Sequence, residues 1–310
     1  MFAGLLRKTA PPGVTAIGVD REGVAIARLA YSAGRRPTFV AGEYYPFGDR
    51  AAPNTLMQTI AQKYHLQNAF CTSVLEGGDY KLLLTEAPDV PASELPAAMR
   101  WRIKDLIEFP VSEVTLDIIP VPNGSAGQQH SVYVVTARNG VIQRRVDLLK
   151  SAKVNLQIID IAEMAQRNIA ALLPQDQKGL AMLSLRPQYS LITLTRNNEL
   201  YLSRTLSVGL EAIGDQQQQE SAYNQVVLEI QRSLDYYESH FRQAPIRQLL
   251  LLPLPDTALG FVEYLRQNLS IEVDVIDLND LVDHEIELSR ELQSKIFLSF
   301  GAALRERAAA

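Results

Sequence analysis

A chain of 310 residues, 47% hydrophobic and 21% charged, has the balance of an ordinary folded protein, long enough for two cores. Its formal net charge of −5 and pI near 5.5 supply no basic field for a phosphate backbone, which argues against nucleic acid as a partner. The single cysteine, Cys71 in the apolar stretch AFCTSVL, excludes an internal disulfide and reads as a buried thiol, and no run approaches the ~20 apolar residues of a membrane-spanning helix.

Residues 1–10, MFAGLLRKTA, are too short for a signal peptide's apolar region and read as a tail, with a weak membrane-surface contact as the other reading. The stretch TAIGVDREGVAIARL then gives a strand through Val14, Ala16, Ile17 and Val19, a tight reversal at Asp20-Arg21-Glu22-Gly23, and a return strand through Val24, Ile26 and Arg28. A third strand over 38–45, a helix over 52–65 carrying Leu56, Ile60 and Tyr64, and a strand over 69–75 follow. Residues 80–84 open something different: a strand, then a helix from an N-cap at Ser93 to the stop at Phe109-Pro110, with Leu95, Met99, Ile103, Leu106 and Ile107 on one face. Strands over 114–121 and 131–138 and a helix over 140–152 complete a small α+β insertion. A strand over 156–161 and a helix over 162–173 resume the first unit.

The opening pattern then recurs. Strands over 179–185, 190–196 and 199–208, the second and third joined at Asn197-Asn198, repeat the β-β-β order and mark an internal duplication. A long helix follows the Gln216–219 run, its stripe formed by Tyr223, Val227, Ile230, Leu234, Tyr237 and Phe241, with Leu234 in mid-face. A strand over 247–252, a helix over 256–268, a strand over 272–276 and a terminal helix over 285–305 end the chain. The expected division is 13–78 with 155–176 and helix 286–306 as the first unit, 79–154 as the insertion, and 177–285 as the second half.

A strand ending in Asp20, a turn and a return strand resemble the opening of the actin, sugar-kinase and chaperone-ATPase superfamily, where that aspartate works with a metal ion and the turn holds phosphate. More specifically, EIQRSLDYYES over 229–239 resembles the EIRRSLDYY-type helix of the PilM proteins, actin-like components of type IV pilus machines. Residues 95–110, running through Trp101 to IEFP, VVTAR over 134–138, IIDI over 158–161 and FLSFGAALR over 297–305 resemble further PilM segments in the same order, nearest to the MshI branch serving mannose-sensitive haemagglutinin (MSHA) pili. The resemblance implies an α/β, actin-like ATPase (ribonuclease H-like) fold with duplicated βββαβα halves and a small α+β insertion, as in PilM and FtsA. It also implies a scaffold on the cytoplasmic face of the inner membrane, with indirect membrane contact. Its partner would be a PilN-like bitopic inner-membrane protein of the pilus alignment complex, with pilus assembly ATPases as further contacts.

The departures from that family bear on nucleotide. In place of an Asp-Ile-Gly-Ser-Ser loop stands Asp20-Arg21-Glu22-Gly23; Ser184-Leu185-Arg186 stands where a second Asp-x-Gly belongs, and Leu252-Pro-Leu-Pro255 where glycines should meet adenosine. Phosphate loops use glycine so that backbone amides can approach the phosphate, and proline removes the donor. Losing two or three charged hydrogen bonds, at roughly 1.5 to 3 kcal/mol each, costs on the order of a thousandfold in affinity. The expectation is therefore no catalysis and no cofactor, with ATP and Mg in a nucleotide switch as the alternative. Asp20, Gly23 and Asp160 are the residues of the vestigial cleft, although Asp20 also reads as a turn former and Asp160 as a helix N-cap. Arg100, Trp101 and Lys104 are the expected partner contacts, set against a buried tryptophan and a solvated basic face. His65, His130, His240 and His284 lack ligand spacing, and a sugar- or acetate-kinase reading fails for want of a catalytic base and a second phosphate loop.

Overall fold

The computed structural model describes residues 13–48, 53–122 and 130–305, so the tail over 1–10 lies outside the described residues. In chain order the elements are β1 (Gly13–Val19), β2 (Gly23–Ala30), β3 (Thr38–Pro46), α1 (Pro53–Lys63), β4 (Phe70–Leu75), β5 (Tyr80–Glu86), α2 (Leu95–Arg102), β6 (Val114–Pro120), β7 (Ser131–Arg138), α3 (Asn139–Ser151), β8 (Leu156–Ile161) and α4 (Ala162–Ala170). The second half supplies β9 (Leu180–Leu185), β10 (Ser190–Arg196), β11 (Glu199–Leu206), α5 (Leu210–Gly214), α6 (Gln219–Phe241), β12 (Gln248–Leu251), α7 (Leu259–Asn268), β13 (Glu272–Val275), β14 (Asp283–His284) and α8 (Arg290–Ala303).

The duplication is visible in the sheets. The first runs β14-β3-β2-β1-β4-β8 and the second β11-β10-β9-β12-β13, so an antiparallel meander of three strands followed by two parallel ones occurs in both. The runs of Val14, Ala16, Ile17 in β1 and of Leu180 through Leu183 in β9 are apolar on both faces because these strands are central and covered on both sides. Asn197 and Asn198 turn β10 into β11 with φ of 51° and 63°, the left-handed pair that a two-residue hairpin turn needs.

Helices α4 and α8 lie between the sheets. Their Ala165, Ile169, Ile296, Phe297 and Phe300 share one core with Val14, Leu29 and Phe39 of the first sheet and Met182, Leu191 and Leu250 of the second. The helices meet at Gly301, where a Cβ would stand 2.2 Å from the Ala165 carbonyl oxygen, and Asn168 donates to the Gly301 carbonyl at 3.0 Å. On the far side of the second sheet α6 and α7 form a separate core through Tyr223, Val226, Ile230, Tyr237, Phe241, Phe261 and Leu265. Leu234, expected in mid-stripe, is only partly buried; Ser233 faces inward beside it, its hydroxyl donating to the Glu229 carbonyl at 2.6 Å.

The insertion is a three-stranded sheet, β5-β7-β6, with its own core of Met99, Ile103, Val114, Val132 and Val134. Helix α2 stops at Arg102, well before the expected Phe109, because the backbone tightens: Lys104 and Leu106 donate to the carbonyls of Trp101 and Ile103, three residues back. Ile103 stays inside and Leu106 is turned out to 52% exposure. Ser93 does not cap this helix; Glu94 occupies the cap position, without a side-chain bond. The sequence division assigned 139–154 to the insertion, yet Leu149, Ala152 and Val154 lie in one core with Ile17, Ile26, Met57 and Ile60 of the first unit.

Candidate functional site

Three turns converge between the halves: 20–23 after β1, 76–79 after β4, and 186–189 after β9. In the first, the Asp20 carboxylate is folded back on its own loop. Its Oδ1 accepts from the amides of Glu22 at 2.8 Å and Gly23 at 2.7 Å, while the Asp20 amide donates to the Gly23 carbonyl at 3.1 Å. This is an Asx turn, the local reading of Asp20, and it consumes amides that a phosphate would need. Gly23 has a different duty from the one expected: a Cβ there would lie 2.3 Å from the Tyr45 carbonyl oxygen, so the glycine admits the close pairing of β2 with β3.

The third turn, 186–189, sends a cation into the space between the loops. Arg186, 8% exposed, directs Nη2 at Glu76 Oε1 (2.5 Å) and Asp20 Oδ2 (3.4 Å), and Nε at Glu76 Oε2 (3.2 Å). The ring of Phe297 lies 5.6 Å from this guanidinium. Burial disfavours the arginine's charge, but Glu76, Tyr189 and Asp20 outweigh it and hold the guanidinium above its ordinary pKa; burial pushes the Glu76 carboxyl up and Arg186 draws it back. We take the pair as ionised, because the contact is bidentate. The turn's backbone is sealed as well: Leu210 and Glu211, at the start of α5, donate to the carbonyls of Arg186 and Pro187 at 2.9 Å each. A Cβ on Gly209 would collide with both carbonyls at 2.4 and 2.5 Å. The expected adenosine-side stretch, Leu252 to Pro255, is packed into the cores through Leu252 and Leu254.

A second buried arginine, Arg145 of α3, donates to Ser73 Oγ, the Val74 carbonyl and the Val19 carbonyl at 3.0 Å each, and pairs with Asp79 at 3.4 Å. Sequence reasoning missed Arg145, Arg186 and Glu76. The one available signal was an arginine ending an apolar strand where the related loops carry glycine. Asp160 is not brought to these turns by any contact. Its Oδ1 accepts from the Ile161 amide at 2.9 Å and its Oδ2 meets Arg305 Nη1 at 2.9 Å, tying the end of β8 to the end of α8. It does not cap α4 either, whose cap position is Ile161.

On the insertion, Arg100, Trp101 and Lys104 line an open groove of about 490 Å³ with Phe109, Pro110, Val111 and Ser112. Trp101 is 75% exposed, which rules out the core reading. Arg100 is not available as a docking charge: its Nη1 donates to the carbonyls of Val111 at 3.1 Å and Val114 at 2.8 Å and braces the subdomain. The strand that carries 134–138 offers no free edge to a peptide, because β7 pairs with β5 on one side and β6 on the other.

Two half-sheets of one strand order around a pair of central helices, with a subdomain inserted into the first, define the actin-like ATPase fold. Solved structures agree: the cytoplasmic domain of EpsL, an inner-membrane component of the type II secretion system of Vibrio cholerae, matches with a TM-score of 0.52 at 12% identity, over 95% of this chain and 96% of that one. A Bacteroides thetaiotaomicron protein of actin-like ATPase fold and unknown function gives 0.52 at 6% identity, covering 91% and 96%. A finer likeness is to a structure described as the PilM-PilN type IV pilus biogenesis complex, with a TM-score of 0.76 at 18% identity over 95% of this chain and 98% of that chain. Residues 88–224 match the family model of the type IV pilus assembly protein PilM. The chain is thus PilM-like through the insertion and into the second half, and in overall fold. No curated protein sequence matches it. Among the described residues no helix is long and apolar enough to cross a membrane.

Proposed function

We propose that this protein is a scaffold of a type IV pilus assembly machine, docked on the cytoplasmic face of the inner membrane through the cytoplasmic tail of a PilN-like bitopic protein. The observation that carries this reading is the joint likeness to PilM, in the segment 88–224 and in the fold of a structure that contains PilN. The motif set along the chain favours the MshI branch and an MSHA-type pilus, with assembly ATPases as further contacts. Trp101 and Lys104 are the exposed contacts offered to the tail, with Phe109 at the groove wall.

The scaffold works without nucleotide. Asp20 is bonded to its own turn, the second loop presents Arg186 instead of a glycine, and Pro253 and Pro255 have no amide to give. These residues do not fit Mg-ATP: the amides of the first loop are spent and a guanidinium with its two carboxylates fills the space between the loops.

The test is a titration of a labelled tail peptide of the PilN-like partner against wild type and Trp101→Ala, with and without Mg-ATP. An exposed aromatic anchor is worth about 2 kcal/mol, so Trp101→Ala should weaken binding roughly thirtyfold. Mg-ATP should leave both curves unchanged. Equal affinity of the two proteins removes the groove from the docking surface, and an ATP-dependent affinity that disappears in Asp20→Ala replaces the scaffold with a nucleotide switch.

A further inference from the structure

The 186–189 turn does more than exclude a ligand. Besides the two bonds from Arg186 to Glu76, the Tyr189 hydroxyl accepts from the Gly77 amide at 3.0 Å, so one turn of the second half grips two successive residues of the first. The fit depends on glycine: a Cβ on Gly77 would stand 2.8 Å from the Tyr189 ring. Arg186 is further anchored because its amide donates to the Tyr189 carbonyl at 2.8 Å and its own carbonyl is held by Leu210.

The geometry points to a built-in latch: Arg186 and Tyr189 hold the second half onto the 76–77 corner of the first and keep the two halves closed with no ligand between them. In a cleft whose closure depends on a bound anion, the neutralising charges arrive with the ligand. Here both signs are covalently part of the chain, so closure is the resting state. The planar fork of arginine matches the two oxygens of Glu76, and lysine, a point charge, cannot reproduce that match. Removing the arginine leaves Glu76 and Asp20, both mostly buried, facing each other without a cation, which drives the turns apart. The core shared by α4 and α8 fixes the inner side of the two halves, leaving the latch to fix the loop side. This inference does not rest on the pilus assignment.

Spin labels at Gln62→Cys on α1 and Gln225→Cys on α6, both exposed, read the separation of the halves by pulsed electron resonance, with Cys71 fully buried and out of the labelling reaction. Wild type should give one narrow distance distribution. Arg186→Met and Gly77→Ala should each add a longer-distance population, and Arg186→Lys should fall between. A folded Arg186→Met protein with the wild-type distribution overturns the latch. If that variant does not fold, Gly77→Ala decides, because it keeps every charge and only displaces Tyr189; an unshifted distribution there rejects the proposal. Failure here leaves tail-peptide binding, measured on the insertion, as a separate question.

Discussion

Replacing Asp20 by alanine takes an acceptor from two amides at once, whereas asparagine leaves an oxygen in the same place. Both remove the charge facing Arg186, so the difference between them isolates the turn. We expect Asp20→Ala to be less stable than Asp20→Asn by about 1 kcal/mol in chemical denaturation, since the site is partly exposed and a net hydrogen bond is worth about that; equal values would show that the loop does not depend on its own carboxylate. Asp20 and Gly23 were legible from sequence as members of one turn, because a turn is set by neighbours. Arg186 was not legible as their cation. It stands 110 residues from Glu76 and 166 from Asp20, and no local pattern reports a pairing at that range. Asp160 misled for a related reason: an aspartate at the end of a strand has the same local signature whether it faces a cleft, caps a helix or meets an arginine from the far end of the chain.

In α6 the burial of each position follows from the helix being pressed onto β11 and α7 along one line. Ile230 is 1% exposed on that line, and Leu234 lies at its margin. Ile230→Ala should therefore cost about 2 to 5 kcal/mol, from lost methyls and the cavity they leave, and Leu234→Ala roughly half of that or less. The reverse order in urea midpoints would mean the helix is rotated from the position described. The existence and type of the long elements came directly from period and turn chemistry. Ends and allegiances did not. Helix α2 ends early because its last turns tighten, a choice made by the packing of Ile103 and not by any breaker in the sequence. Helix α3 follows the insertion in sequence, but its Leu149 fills the core under β1 and β2, which nothing in its own composition announces.

Across the whole molecule, the insertion, the first half and the second half meet at Glu163, the first-turn carboxylate of α4, 3% exposed. The Tyr80 hydroxyl of β5 donates to it, Ser203 of β11 donates at 3.5 Å, and the Ala162 amide donates to Tyr80 at 3.2 Å. Burial raises the Glu163 carboxyl above the ordinary 4.5, with Tyr80 and Ser203 opposing that shift and Asp160 adding to it. A carboxyl raised in the fold binds its proton more tightly there than in the unfolded chain. Its contribution is thus complete below the ordinary carboxylate value and is lost as pH rises from there through the raised value. Glu163→Gln, which can still accept from Tyr80, should flatten this loss: relative to wild type it gains stability as pH rises above the ordinary 4.5, read from thermal midpoints along a pH series. Parallel curves for the two proteins would place the titration elsewhere. Tyr133 strengthens the same junction, accepting from the Ser203 amide at 3.0 Å and entering the core of the second half, so removing 80–154 to isolate the insertion would also strip core from both halves.

The position of α8 between the sheets has a consequence for how the chain is made. β1, β2 and β3 leave the ribosome long before α8, yet the face they turn inward is covered by Phe297, Phe300 and Ala302, and their sheet is extended at β3 by Asp283 and His284. During synthesis this meander therefore waits, with Val14, Leu29 and Phe39 uncovered, until α8 has emerged. Contacts of such sequence separation form slowly, and an uncovered apolar sheet is a site for aggregation or chaperone capture meanwhile. A chain interrupted before residue 290 loses the lid of its own first domain, so a late stop codon is as damaging to the N-terminal sheet as a mutation within it.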